Sequence, residues 1–88
     1  MAVKQIKVRA KEIYEETLYI STPFIKLDSA LKLSGAVSTG GQAKMLIEDG
    51  LISVNGEVCT LRGRKIYAGD KINFKNSVYR VENSHENK

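Results

Sequence analysis

The spacing of apolar residues changes several times along the chain, and each change predicts an element. Near the start the period is double. Val3, Ile6, Ala10 and Ile13 recur at helical spacing, while Ile6, Val8 and Ala10 also alternate as in a strand. Residues 2–14 are therefore expected as a helix or a frayed extension. The stretch TLYIS, Thr17 to Ser21, is β-branched and aromatic and predicts a short strand, ended or edged by Pro23. From Lys26 the period lengthens. In KLDSALKLSG, Leu27, Ala30, Leu31 and Ser34 share one side of a helix, with Asp28 as its expected N-cap and Gly35 as a left-handed stop. A second helix is expected from Thr39. Ala43, Leu46 and Ile47 form its apolar face with Met45 beside it, Thr39 and Gln42 have the spacing of a capping box, and Gly50 ends it.

Past Gly50 the period shortens to two. Ile52 and Val54 flank Ser53, Asn55-Gly56 favours a tight primed turn, and Val58 opens the return strand. Gly69-Asp70 marks another turn, Ile72 and Phe74 line one face of the strand after it, and Tyr79 and Val81 line the last strand. This order predicts an α+β domain: two short helices packed on a small twisted antiparallel sheet with tight hairpins. Residues 17–82 are expected to form the domain, residues 1–16 an N-terminal extension, either helix or strand, and residues 83–88 a loose polar tail.

Length and charge narrow the classes of function. A chain of 88 residues makes one small domain with a thin core, so no deep substrate pocket is expected. Lys and Arg outnumber Asp and Glu by 14 to 10. Residues 25–80, with nine basic and five acidic side chains, carry all of the +4 excess. That balance suits a polyanion such as nucleic acid, and equally a basic protein with a solvated surface. The single cysteine, Cys59, excludes an internal disulfide and fits a reducing compartment. There is no long apolar run and no signal-peptide core, which makes the cytoplasm the expected location and a membrane no expected partner.

Little in the chain supports catalysis. His85 stands alone in the tail, Cys59 has no nearby histidine, and Asp28, Asp49 and Asp70 look like cap and turn residues. No clustered ligand set suggests a metal or cofactor, and GGQAK lacks the spacing and the Lys-Ser/Thr end of a P-loop. The diglycine Gly40-Gly41 is more telling. A helix start exposes unpaired N–H groups and the positive end of the dipole, and two residues without side chains would let a phosphate approach closely. The competing explanation is a tight inter-helix turn in which glycine relieves steric conflict. Lys26, Lys32 and Lys44 lie on the helices, and Arg62, Arg64 and Lys65 cluster in a loop. Lys71, Lys75 and Arg80 alternate outward on a hairpin, as solvated charges do. Phe24, Phe74 and Tyr79 are expected in the core. Tyr67 follows the basic loop and is a candidate to stack on a base, with a core position as the competing reading, but no strand interleaves aromatic and basic residues as a single-strand-binding sheet would.

Three stretches in order carry a resemblance: KLDSALKLSG, STGGQAKMLIEDGLISVNGEV and GRKIYAGDKINF. From Lys26 to Phe74 the chain resembles the S-four RNA-binding domain, also called the alpha-L motif. The TGGQAK and RGRK forms are most similar to its small stand-alone bacterial branch, often called YaaA. The resemblance implies that the helix pair and the basic loop border one surface, which grips the phosphate backbone of structured RNA without catalysis. Ribosomal or transfer RNA are the expected targets, and a ribosome-associated protein is a further expected partner. The expected RNA-binding residues are Lys26 and Lys32; Thr39, Gly40, Gly41, Gln42 and Lys44; and Arg62, Arg64 and Lys65. Two departures stand out. Many members place an arginine where this chain has Gly40, and the loop before Gly63, often doubly basic, here carries Leu61 and Arg62. Two rivals follow from the same residues: an adaptor docking an acidic protein partner, and a helix-turn-helix DNA binder. The second offers only Gln42 and Lys44 as base-reading groups.

Overall fold

The computed structural model describes the backbone of residues 6–9 and residues 13–84 in full. Val3, Ala10 and the lone tail histidine, His85, lie outside the described residues. The elements run β1 (Ile6–Arg9), β2 (Ile13–Ile20), β3 (Ile25–Lys26), α1 (Leu27–Ser34), α2 (Gly40–Glu48), β4 (Ile52–Val54), β5 (Glu57–Val58), β6 (Lys65–Ile66), β7 (Lys71–Phe74) and β8 (Ser77–Asn83). Six strands form one sheet in the order β1-β2-β8-β7-β4-β5, and β3 pairs with β6 in a separate two-stranded ribbon.

Both helices lie where the apolar period places them. In α1, Leu27, Ala30, Leu31 and Ser34 are the buried residues, and Gly35 takes a left-handed φ of 86° as C-cap. In α2, Ala43 and Ile47 are buried. The end of α2 is a Schellman motif: Gly50 at φ 78° donates to the Ile47 carbonyl, and Leu51 donates to that of Leu46. The Asn55-Gly56 turn has positive φ at both residues, 52° and 90°, which matches the right-handed twist of the β4–β5 hairpin it closes. Leu18 and Ile20 of β2, Ile52 and Val54 of β4, Ile72 of β7, and Tyr79 and Val81 of β8 turn inward to meet the helices. Cys59 and Ile66 join the same cluster.

The structure resolves one open reading and corrects three expectations. Residues 6–9, which the sequence leaves open between helix and strand, form a strand antiparallel to β2 with Ile6 opposite Glu16 and Arg9 opposite Ile13. The period alone is neutral between the two, and strand pairing wins because it satisfies backbone groups along an edge of β2 that would otherwise be open. The strand expected at Thr17 begins earlier, at Ile13. The sheet is also mixed rather than antiparallel throughout. β2 and β8 run parallel over seven paired positions, from Tyr14 opposite Ser77 to Ile20 opposite Asn83. Their connection is the rest of the domain, so no turn signal could announce the pairing.

The third correction concerns Asp28, which does not cap α1. Lys26 occupies the N-cap position in extended conformation, φ −74° and ψ 150°, without a side-chain cap bond. It is held extended by pairing with Lys65 across the β3·β6 ribbon. The first N–H groups of the helix are instead met by backbone carbonyls of the basic loop: Leu27 donates to Arg64 at 2.9 Å and Asp28 to Arg62 at 3.1 Å. The Asp28 side chain is thereby free for another task.

Candidate nucleic-acid interface

The two helix starts are treated in opposite ways. That of α1 is covered, since loop carbonyls take its leading N–H groups. That of α2 is open. Thr39, extended at φ −134°, accepts from the Gln42 N–H through its hydroxyl at 3.1 Å, and its carbonyl accepts from Ala43 at 3.2 Å. Gln42 returns its Oε1 to the Ser38 N–H at 2.7 Å, one residue before the cap. The box is therefore closed one position earlier than the standard capping box. The Gly40 and Gly41 N–H groups have no hydrogen-bond partner among the described residues, and Gly41 and Gln42 are exposed. Two donors, the positive end of the helix dipole and the absence of side chains make this a place for an anion. Replacing Thr39 with alanine should cost about 1 kcal/mol of stability by removing the cap. Thermal melting read beside RNA affinity checks this, with both falling.

The glycines are not demanded by the backbone. Neither Gly40 nor Gly41 has a left-handed φ, unlike Gly35, Gly50, Gly56 and Gly69. A Cβ at Gly41 would meet the Thr39 hydroxyl at 3.9 Å, an ordinary contact, and one at Gly40 would meet Arg62 Nη2 at 3.8 Å. Steric relief in a tight turn therefore does not explain the pair.

That second contact also locates Arg62. Its Nε donates to Asp28 Oδ2 at 3.0 Å, a pair in which the aspartate side chain is 15% exposed and the arginine 47%. The bond fixes the guanidinium between the start of α1, which carries Asp28, and the start of α2, where Nη2 stands over Gly40. The backbone of the same loop is tied down by its two carbonyl bonds to α1 and by a turn in which Arg64 donates to the Leu61 carbonyl. So a cation from a distant loop stands over the residue where many members of the resembled family carry an arginine. Asp28 is the positioning residue that composition and spacing missed. No sequence signal links it to Arg62, 34 residues away. The other Asp28 oxygen, Oδ1, is buried without a hydrogen-bond partner among the described residues.

The remaining cations divide. Lys26 and Lys65 are cross-strand partners and exposed, so they join Arg62 and Arg64 at the start of α1. Lys44 is exposed one turn into α2. Lys32 is exposed in the last turn of α1, about 9 Å along the axis from Lys26, and no described contact joins it to the others. Lys71, Lys75 and Arg80 are exposed on the β7–β8 hairpin, where Arg80 lies 3.7 Å from Glu82. Beside α2, Met45 and Leu46 of that helix join Ala36, Val37 and Phe74, with Gln42 and Lys75, to line a groove of about 310 Å³. Among the described residues no group of His, Cys, Asp or Glu is arranged to hold a metal. No helix among them is long and apolar enough to cross a membrane.

This arrangement, an open α2 start beside a clamped basic loop, lies within a stretch that one family model matches. That model, the S4 domain, matches residues 18–82. The chain belongs to the S4 domain family. It is 38% identical over 56 residues to a Bacillus subtilis protein named "Probable ribosome maturation protein RlbA", a match spanning 64% of this chain and 79% of that protein. It is 40% identical over 52 residues to an Escherichia coli protein named "Putative RNA-binding protein YbcJ", spanning 59% of this chain and 74% of the other.

Proposed function

We propose that residues 17–82 form a non-catalytic module of the cytoplasm that grips the phosphate backbone of structured RNA, ribosomal or transfer RNA being the natural class. The observation that carries this reading is the placement of Arg62. One side chain, anchored by Asp28 at the start of α1, stands over the diglycine at the start of α2. The unpaired amides of Gly40 and Gly41, the guanidinium of Arg62 and the nearby Arg64, Lys65 and Lys26 then address one run of phosphates. Arginine forks suit paired phosphate oxygens, while lysines act as point charges. Lys44 and Lys32 extend the cationic surface along the two helices. Backbone contact of this kind reads the shape of A-form or folded RNA rather than its sequence. The family, and the names of the two relatives, support RNA as the polyanion and the ribosome as its setting.

The test is retention of a labelled RNA hairpin against competition by a DNA duplex of the same sequence, repeated over a salt series. The hairpin should be held at low salt, released steeply as salt rises, and displaced poorly by DNA. Equal displacement by DNA would favour the helix-turn-helix alternative. The apolar groove beside α2 is the observation that favours a protein-docking role. Capture of an acidic protein with no retention of any RNA would make that the function.

A further inference from the structure

We propose that the outward face of the β3·β6 ribbon is a stacking platform for an unpaired nucleotide flanking the structured RNA. This rests on the RNA reading above and names a second feature of the ligand. The ribbon register sets Ile25 opposite Ile66 and Lys26 opposite Lys65. One step beyond the paired residues, Phe24 and Tyr67 stand with their rings 5.9 Å apart. Side chains alternate across a strand. Ile66 is fully buried and Ile25 packs against the core, so the other face carries Phe24, Lys26, Lys65 and Tyr67. Two aromatic rings and two ammonium groups thus share one small surface, the interleaving that no single strand of the sequence contains.

The geometry fits a base. The Phe24 and Tyr67 rings are 5.9 Å apart at 51°, and the Lys65 ammonium lies 4.9 Å from the centre of the Phe24 ring. Lys65 therefore occupies Phe24, and Tyr67 presents the freer ring, with 48% of the residue exposed. The Tyr67 backbone is pinned at both ends: its N–H donates to Asp70 Oδ2 at 2.8 Å, and its carbonyl accepts from the Asp70 N–H at 2.9 Å. A second bond from Asn55 Nδ2 to Asp70 Oδ1 ties that turn to the β4–β5 hairpin. A ring held on a fixed backbone loses little freedom when a base stacks on it. Lys26 and Lys65 are placed for the flanking phosphates, and the chain then leads to Arg64 and Arg62. Aromatic platforms among cations hold single-stranded nucleotides in a sequence-tolerant way.

The experiment compares a blunt RNA duplex with the same duplex bearing a short single-stranded extension that contains 2-aminopurine. The extension should tighten binding about tenfold, and the fluorescence of the reporter base should be quenched on binding. Tyr67→Ala should remove the gain and the quench, leave the blunt duplex bound as before and leave melting unchanged. Tyr67→Phe should keep both. Equal affinity for the two RNAs, or a gain and quench that survive Tyr67→Ala, overturns the platform while the RNA reading stands. Retention of neither RNA by the unaltered protein removes both.

Discussion

Replacing Arg62, Arg64 and Lys65 together with alanine is expected to cut RNA affinity by about 100-fold or more at 0.1 M salt. Each lost phosphate contact should remove ~0.7–0.9 from the slope of log affinity against log salt, and three contacts at 0.1 M salt correspond to roughly 2–2.7 log units. The loss should be similar for unrelated folded RNAs, because these groups meet backbone and not bases. The loop itself should keep its path. Its bonds to α1 come from the carbonyls of Arg62 and Arg64, which alanine retains. Stability is expected to fall by about 1–2 kcal/mol, because removing Arg62 leaves the largely buried Asp28 carboxylate without its cation. The double replacement Arg64→Ala with Lys65→Ala separates the two effects. It should lower the salt slope by two contacts while costing at most the Lys65–Phe24 cation–π contact, about 0.5–1 kcal/mol, and leaving Asp28 its cation. An unaltered slope in a fully folded triple variant would remove the loop from the interface.

Replacing Gly40 and Gly41 with alanine should move stability and binding in opposite directions. Neither glycine has a left-handed φ, and a methyl group at either meets only ordinary contacts. Alanine is the better helix former, and the unfolded chain has less freedom to lose, so each change should stabilise by about 0.4–1 kcal/mol. In a domain of this size that raises the melting temperature by about 4–8 °C per kcal/mol. RNA affinity should nevertheless fall about tenfold, because a methyl group over the amides holds a phosphate off two charge-assisted hydrogen bonds. Gly41→Glu should weaken binding further by adding a like charge. A protein that melts lower and binds normally would return the diglycine to a purely conformational role. A natural sequence that gives up easily gained stability at one exposed site is what a functional constraint predicts.

The parts legible from sequence are those whose physics is local. Leu27, Ala30, Leu31 and Ser34 declare the buried stripe of α1 by their spacing alone. Asn55-Gly56 declares its turn because few residue pairs tolerate two positive φ angles in succession. Thr39 and Gln42 declare the start of α2, although the glutamine closes on Ser38 and not on the cap residue itself. The misreadings and the open reading share one cause. Asp28 looks like a cap because aspartate near a helix start usually is one, and nothing nearby shows that distant carbonyls already fill that need. Residues 6–9 show two periods at once, and only the presence of β2 beside them selects the strand. The parallel pairing of β2 with β8 joins segments with the whole domain between them, which no pattern of turns can express.

Chain order and local periodicity by themselves determined the two helices, the hairpins, the excess of positive charge between residues 25 and 80, and the diglycine at a helix entrance. Tertiary structure alone decided which helix start would stay open and which cation would stand over it. It also decided that Phe24 and Tyr67 would share a face. The physical reason is reach: propensity and capping act over three or four residues, whereas the Asp28–Arg62 bond and the β3·β6 register exist only after the chain has closed loops of some 34 and 39 residues. Assembling the surface therefore depends on the buried core that holds those closures in place.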